Sequence, residues 1–203
     1  MIGASQDTAE RLAETGRRFY ARGWVMGTSG NFSAVTSRAP LRLLISSSGV
    51  PKGELTAAHF VDVDAAGQPA TPTTLRPSAE TLLHAVIAEV RGAGAVLHTH
   101  SIWSTVLSLR HQAEGGLAIE DLEMLKGLAG VTTHAHREWV PILANSQDMP
   151  ALGDALRRTL TAHPEAHAVL LAGHGMYTWG ETVADAERHV EILEFLLEIA
   201  GRR

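Results

Sequence analysis

The sequence predicts an α/β fold built on a largely antiparallel or mixed sheet with helices packed around it. Three observations predict it. Amphipathic helical segments and short strand-like runs are interspersed along the whole chain. They do not follow the strict strand–helix–strand alternation of a parallel sheet. At 203 residues, with 45% hydrophobic and 19% charged side chains, the chain supports one buried core, read as a single domain over residues 1–203.

The elements follow in order. Residues 7–23 read as a helix, with Leu12, Phe19 and Tyr20 near helical spacing and Gly23 as the stop. Gly27-Thr28-Ser29-Gly30-Asn31 is a turn cluster. Strands are predicted at 32–35 and at 41–46, joined through Arg38-Ala39-Pro40. A polar loop over 46–53 leads to a strand at 59–64 and a turn at 65–69. Pro77-Ser78 opens a helix running to Arg91, with Ser78 as N-cap and Glu80 in the first turn, ended by Gly92-Ala93-Gly94. A strand over 95–100 precedes a helix to Arg110, a short helix over 122–128 and a strand over 138–142. A helix over 149–162 stops before Pro164, and strands at 168–171 and 176–179 flank Gly173-His174-Gly175. Thr182 and Asp185 form a capping box for a last helix whose apolar stripe is Val183, Ala186, Val190, Leu193 and Ala200.

Charge and composition exclude several function classes. Lysine plus arginine is 17 against 22 acidic residues, a net charge of −5, which argues against nucleic acid or an anionic membrane as partner. There is no cysteine, which removes disulfides, thiolate metal sites and cysteine nucleophiles. No apolar run is long enough to span a bilayer, and Met1-Ile2-Gly3-Ala4-Ser5 has no signal-peptide pattern, so the expectation is a soluble cytoplasmic protein.

Eleven histidines in such a chain direct attention to metal chemistry. His98-Thr99-His100 places two imidazoles on one face of a strand, because strand side chains alternate. His174, between two glycines at a strand end, is the candidate third ligand of a site that keeps one position open. Glu80 lies four residues before His84 on one helix face. Spacing alone reads it as a helix-start glutamate, with metal ligand, second partner and base as the other roles. Glu120, Asp121 and Glu123 read from spacing as a solvated face. The loops carrying Ser29, Gly30 and Asn31 and carrying Ser48 and Gly49, with Ser78 and Lys52, are of the small, polar kind that cradles phosphate. His134 and His136 form a second His-x-His in a loop-like setting. The chain has no Walker lysine motif and no Gly-x-Gly-x-x-Gly before a helix.

These motifs together resemble the class II aldolase/adducin family nearly end to end. They are Thr28-Ser29-Gly30-Asn31-Phe32-Ser33, Ser47-Ser48-Gly49-Val50-Pro51-Lys52-Gly53, Pro77-Ser78-Ala79-Glu80-Thr81-Leu82-Leu83-His84, Ala95-Val96-Leu97-His98-Thr99-His100-Ser101 and Gly173-His174-Gly175. Glu123-Met124-Leu125-Lys126-Gly127, Val140-Pro141-Ile142 with Asn145-x-Gln147-Asp148, and His174-Gly175-Met176-Tyr177-Thr178-Trp179-Gly180 look like the family's dehydratase branch, which removes water from a methylthio ketopentose phosphate.

The resemblance implies a three-layer fold and one divalent metal per subunit, usually Zn2+ although other divalent ions fit, on His98, His100 and His174. It implies phosphate binding by Ser29, Gly30, Asn31, Ser48, Gly49, Ser78 and Lys52. It assigns Glu123 as catalytic acid/base, with Glu80, the aldolases' base, as helper or metal partner. It further implies a small phosphorylated ketose as substrate and a homotetramer with sites near subunit interfaces. The alternatives it leaves are an aldolase or epimerase acting on a small sugar phosphate, and an adducin-like binding module that keeps the fold without the chemistry. One departure stands out: the second serine that aldolases place beside Ser78 is Ala79 here.

Overall fold

A computed structural model describes residues 2–203, with side chains from residue 5 onward; Met1, part of the segment read for a leader, lies outside them. Eight strands form one sheet and five α-helices cover it. The helices are α1 (Ile2–Ala21), α2 (Thr81–Arg91), α3 (Ile102–Arg110), α4 (Met149–Ala162) and α5 (Val183–Arg202). The strands are β1 (Asn31–Arg38), β2 (Leu41–Ser46), β3 (Phe60–Asp64), β4 (Ala95–Thr99), β5 (Gly116–Ile119), β6 (Glu138–Leu143), β7 (Ala168–Leu171) and β8 (Gly175–Gly180). Their order across the sheet is β3-β2-β1-β4-β8-β7-β6-β5, antiparallel throughout except for the β6–β7 pair. The mixed, mostly antiparallel sheet is the one the sequence predicts.

Side-chain alternation divides the core into two faces. On one face Ala95 and Leu97 of β4 meet Leu12 and Phe19 of α1 and Val190, Leu193 and Leu197 of α5. On the other, Val96 meets Leu83 and Ile87 of α2 and Leu152 and Leu156 of α4, with Tyr177 and Trp179 of β8. The result is helix, sheet and helix in three layers. Each fully buried leucine or phenylalanine contributes about 1.5–3 kcal/mol relative to exposure.

Local signals account for most boundaries. The Asp148 carboxylate accepts from Ala151 N–H at 3.0 Å at the start of α4. Thr182 and Asp185 form the reciprocal capping box of α5. Gly92 ends α2 in the left-handed conformation, at φ +62°.

Three expectations need correction. The helix at Pro77-Ser78 begins at Thr81, and Ser78 is not its N-cap: the N-cap position is Glu80, which makes no side-chain cap. The Ser78 hydroxyl is instead drawn into contacts with Asn31 and the Glu80 backbone. The 122–128 helix is a 3-10 turn, Glu123–Gly127. Strand β5 was not predicted, and it pairs with β6 at the sheet edge.

The centre of the sheet positions the site. Asn31 of β1 lies opposite His98 of β4, and His98 lies opposite Tyr177 of β8. Three side chains of different chemistry are thereby held in one row.

Candidate metal centre

His98 on β4 and His100 just past its end project to the same side of the sheet, and Thr99 projects to the other, where its hydroxyl donates to Glu194 of α5 at 3.1 Å. His174 reaches the pair from the turn between β7 and β8, where its N–H donates to Leu171 O at 3.0 Å. That turn must come close to β4. A Cβ on Gly175 would lie 2.1 Å from the Thr99 carbonyl oxygen, so only glycine fits. Gly30 makes the matching approach from the β1 side, at φ +76°, where a Cβ would lie 2.7 Å from His98 O.

The ring nitrogens converge. His98 Nε2 is 2.7 Å from His100 Nε2 and 3.3 Å from His174 Nε2. Glu80 closes the group, with Oε1 3.0 Å from His174 Nε2 and Oε2 3.4 Å from His98 Nε2. One ligand atom from each of Glu80, His98, His100 and His174 lies within 4.8 Å of all the others. Two of the other ring nitrogens face away from the centre. His98 Nδ1 donates to Met176 O at 3.0 Å, and His174 Nδ1 faces Asn145 Oδ1 at 3.3 Å.

The electrostatics suit a cation. Burial keeps His98 well below the usual histidine range, with its neighbouring histidines adding to the effect and Glu80 opposing it. Burial, with His174 beside it, lowers His100 to about 4. Both imidazoles are therefore neutral at physiological pH, the form that binds metal. Burial acts to raise Glu80, but the hydrogen bonds it accepts from His174 and from the Asn31 amide outweigh it and hold Glu80 ionised. Three imidazole nitrogens crowded around an ionised carboxylate fit a divalent ion of the kind that histidine and carboxylate donors bind.

The histidine–carboxylate group opens into a cleft of about 240 Å³. Of the predicted phosphate residues, Ser29, Gly30, Asn31, Ser48, Lys52 and Ser78 line it, and Gly49 sits next to Ser48 at the tip of its loop. The Ser29 and Ser48 backbone N–H groups are already committed, to Met26 O at 3.0 Å and Arg76 O at 2.8 Å. Ser29 Oγ also donates to Met26 O, at 2.7 Å. Two other hydroxyls are better placed. Ser47 Oγ is buried and has no hydrogen-bond partner among the described residues. Ser78 Oγ accepts from Asn31 Nδ2 at 3.0 Å and from Glu80 N–H at 3.3 Å, which leaves its own hydrogen to donate. Lys52 is buried, donates to Thr28 O at 2.9 Å and Val50 O at 3.1 Å, and is lowered to about 8 by that burial.

One carboxylate stands differently from the reading by spacing, and one stands as that reading has it. Glu80 is not a solvated helix-start acid: its side chain turns into the histidine group. Glu123 does not line the cleft of its own chain. Its side chain is 69% exposed, pairs with Lys126 and lies 3.9 Å from His134. The sequence reading did not place Ser47, Asn145, Gln147 and Met149 in the site, and all four line the cleft. Asn145 and Gln147 stood in the quoted motif, and their polarity in a loop after a strand was the available signal. Among the described residues the second His-x-His gathers no metal group: His136 Nε2 meets the buried Glu138 carboxylate at 2.9 Å, and His134 is exposed.

The methylthioribulose-1-phosphate dehydratase of Methylococcus capsulatus is 47% identical over 195 residues, covering 96% of this chain and 93% of its own. The enzyme of the same name from Marinobacter nauticus is 45% identical over 191 residues, covering 94% and 90%. Among solved structures, YgbL of Klebsiella pneumoniae superimposes with a TM-score of 0.79 at 24% identity, covering 96% of this chain and 88% of YgbL, which shows the fold. Residues 10–200 match the class II aldolase and adducin N-terminal domain, and the chain belongs to that family.

Proposed function

We propose that this chain is a metal-dependent hydro-lyase that converts 5-methylthioribulose 1-phosphate to 2,3-diketo-5-methylthiopentyl 1-phosphate and water, a step of methionine salvage. The observation that carries the substrate is the 45–47% identity, over at least 90% of both chains, to relatives named for that reaction. The cleft supports the chemistry, because a histidine–carboxylate group and a hydroxyl-rich wall face the same space.

His98, His100 and His174 would hold the ion, with Zn2+ the proposed metal and Glu80 beside it. When bound, a divalent ion supplies a Lewis acid that makes the carbon acid next to the ketone easier to ionise. The chain's own groups do the rest. Ser47, Ser78 and Lys52 bind the phosphate and fix the ketose along the cleft. Glu80, an acceptor held ionised, takes part in holding the cation and the neighbouring hydroxyl.

Glu123 is the proposed acid/base. It removes the proton from the carbon beside the ketone and, once protonated, returns it to the hydroxyl that leaves as water from the next carbon. The enol left behind tautomerises to the diketone. Lys126 hydrogen-bonds Glu123 and keeps it below the ordinary carboxylate range, so it starts as a base. Glu123 is exposed and outside its own chain's cleft, so we place it in the cleft of a neighbouring copy within a homotetramer.

The placement of Glu80 favours a second reading, an aldolase that would use it as base on a sugar phosphate. Ala79, in place of the second aldolase serine, counts against it.

Chelator treatment followed by return of Zn2+ tests the proposal. Release of the diketone should stop and then resume, and His174→Ala should stay inactive after zinc is added. Turnover unchanged by chelation would contradict it.

A further inference from the structure

We infer that His84, which lies behind the cleft wall, is a positioning residue: it locks the Asn31 side-chain amide in the one orientation that serves both Glu80 and Ser78. His84 is fully buried on α2. Its Nε2 makes a short contact with Asn31 Oδ1, and its Nδ1 is 2.7 Å from Ser33 Oγ. The Asn31 Nδ2 group lies 2.6 Å from Glu80 Oε2 and 3.0 Å from Ser78 Oγ.

The directions of these bonds form a one-way chain. An ionised carboxylate only accepts, so the side of Asn31 facing Glu80 must be its NH2. The carbonyl Oδ1 then faces His84 and only accepts, so Nε2 of His84 must carry the ring proton. Nδ1 is left with a lone pair, and Ser33 Oγ–H donates to it. Burial lowers His84 to about 4, against an opposing effect from Glu80, so the ring is neutral and carries that single proton. A flipped amide would set Oδ1 against the Glu80 carboxylate and take a donor from Ser78. His84 opposes this, because a flipped amide would also require the ring proton to move to Nδ1 and Ser33 to turn from donor to acceptor. The Tyr177 ring meets His84 edge-on, with centroids 5.7 Å apart and planes at 75°, and so fixes the plane of the imidazole.

One amide thus joins the metal half of the cleft to its phosphate half, and a buried histidine that touches neither ligand sets it. This rests on the proposed function's reading of the two halves, but it is measured without turnover.

Long-range 1H–15N correlation on the protein labelled with 15N-histidine reports the tautomer directly, with His84→Gln used to assign the signals. At pH 7 the expected pattern is a protonated Nε2 and a bare Nδ1. A protonated Nδ1, or both nitrogens protonated, would overturn the inference, whether or not the chain binds zinc. Zinc affinity by chelator competition supplies the second readout. Asn31→Ala and His84→Phe should each weaken binding about 10- to 100-fold, and the double variant should be no weaker than the worse single one. Additive losses, or unchanged zinc binding in His84→Phe, would overturn it. The wild-type spectrum decides the matter if a variant does not fold. A wild-type chain that binds no zinc would instead contradict the proposed function.

Discussion

The ring of Tyr177 lies flat against that of His98, with centroids 3.9 Å apart and planes within 11° of parallel. The pairing follows from register, since the two residues face each other across β4 and β8. It leaves His98 no freedom to rotate, and Met176 O holds its Nδ1, so Nε2 has one direction available. Tyr177→Phe should keep zinc affinity near the wild-type value. Tyr177→Ala should lose about 3–5 kcal/mol of stability and weaken zinc binding as well. Urea unfolding and chelator competition measure the two effects.

On the opposite face of β4, Glu194 is buried against Thr99 and Ser101. Burial raises it to about 7, with hydrogen bonds from those two residues opposing the rise. The folded chain then binds this proton more tightly than the unfolded chain does. Glu194 therefore contributes most to stability at low pH, and the contribution is lost as pH rises from about 4.5 to about 7. The loss amounts to about 3 kcal/mol at most. Glu194→Gln should gain stability over the wild type at pH 8 and little at pH 4.5. Equal urea midpoints at both pH values for the two proteins would contradict this.

Lys52 is lowered to about 8 by burial, so its charge is lost just above neutral pH. If it binds the phosphate, kcat/KM should fall as pH rises through about 8. Lys52→Met should remove that limb of the profile and raise KM about 10- to 100-fold, the worth of one hydrogen bond to a charged group. A pH profile unchanged in the variant would remove Lys52 from the phosphate site.

Glu123→Gln should keep metal and fold and lose about 10²- to 10⁴-fold in kcat. Because the residue is placed in a neighbour's cleft, Glu123→Gln and His174→Ala chains should complement each other. Mixed oligomers recover activity that neither variant has alone. No recovery, with mixed assembly verified, would return Glu123 to its own chain or remove it from the mechanism.

The convergence of the three histidines was legible because its signals are local. Strand alternation aligns His98 with His100, and glycines at 173 and 175 mark a tight approach for His174. The capping box of Thr182 and Asp185 was legible for the same reason. Glu80 was not, because the start of α2 is set by tertiary contacts: the Ser78 hydroxyl is bound to Asn31, 47 residues away, and does not cap the helix. Strand β5, four residues long, was hidden because its pairing with β6 carries more information than its own sequence. Glu123 reads as a surface acid in sequence and stands as one in the single chain, so only the resemblance singles it out.

The most direct measurement is the mass of the product formed when the zinc-loaded protein meets 5-methylthioribulose 1-phosphate. The account predicts a single phosphorylated product lighter than the substrate by one water. Two smaller fragments from a split carbon chain, or unchanged substrate in the presence of bound zinc, would contradict it.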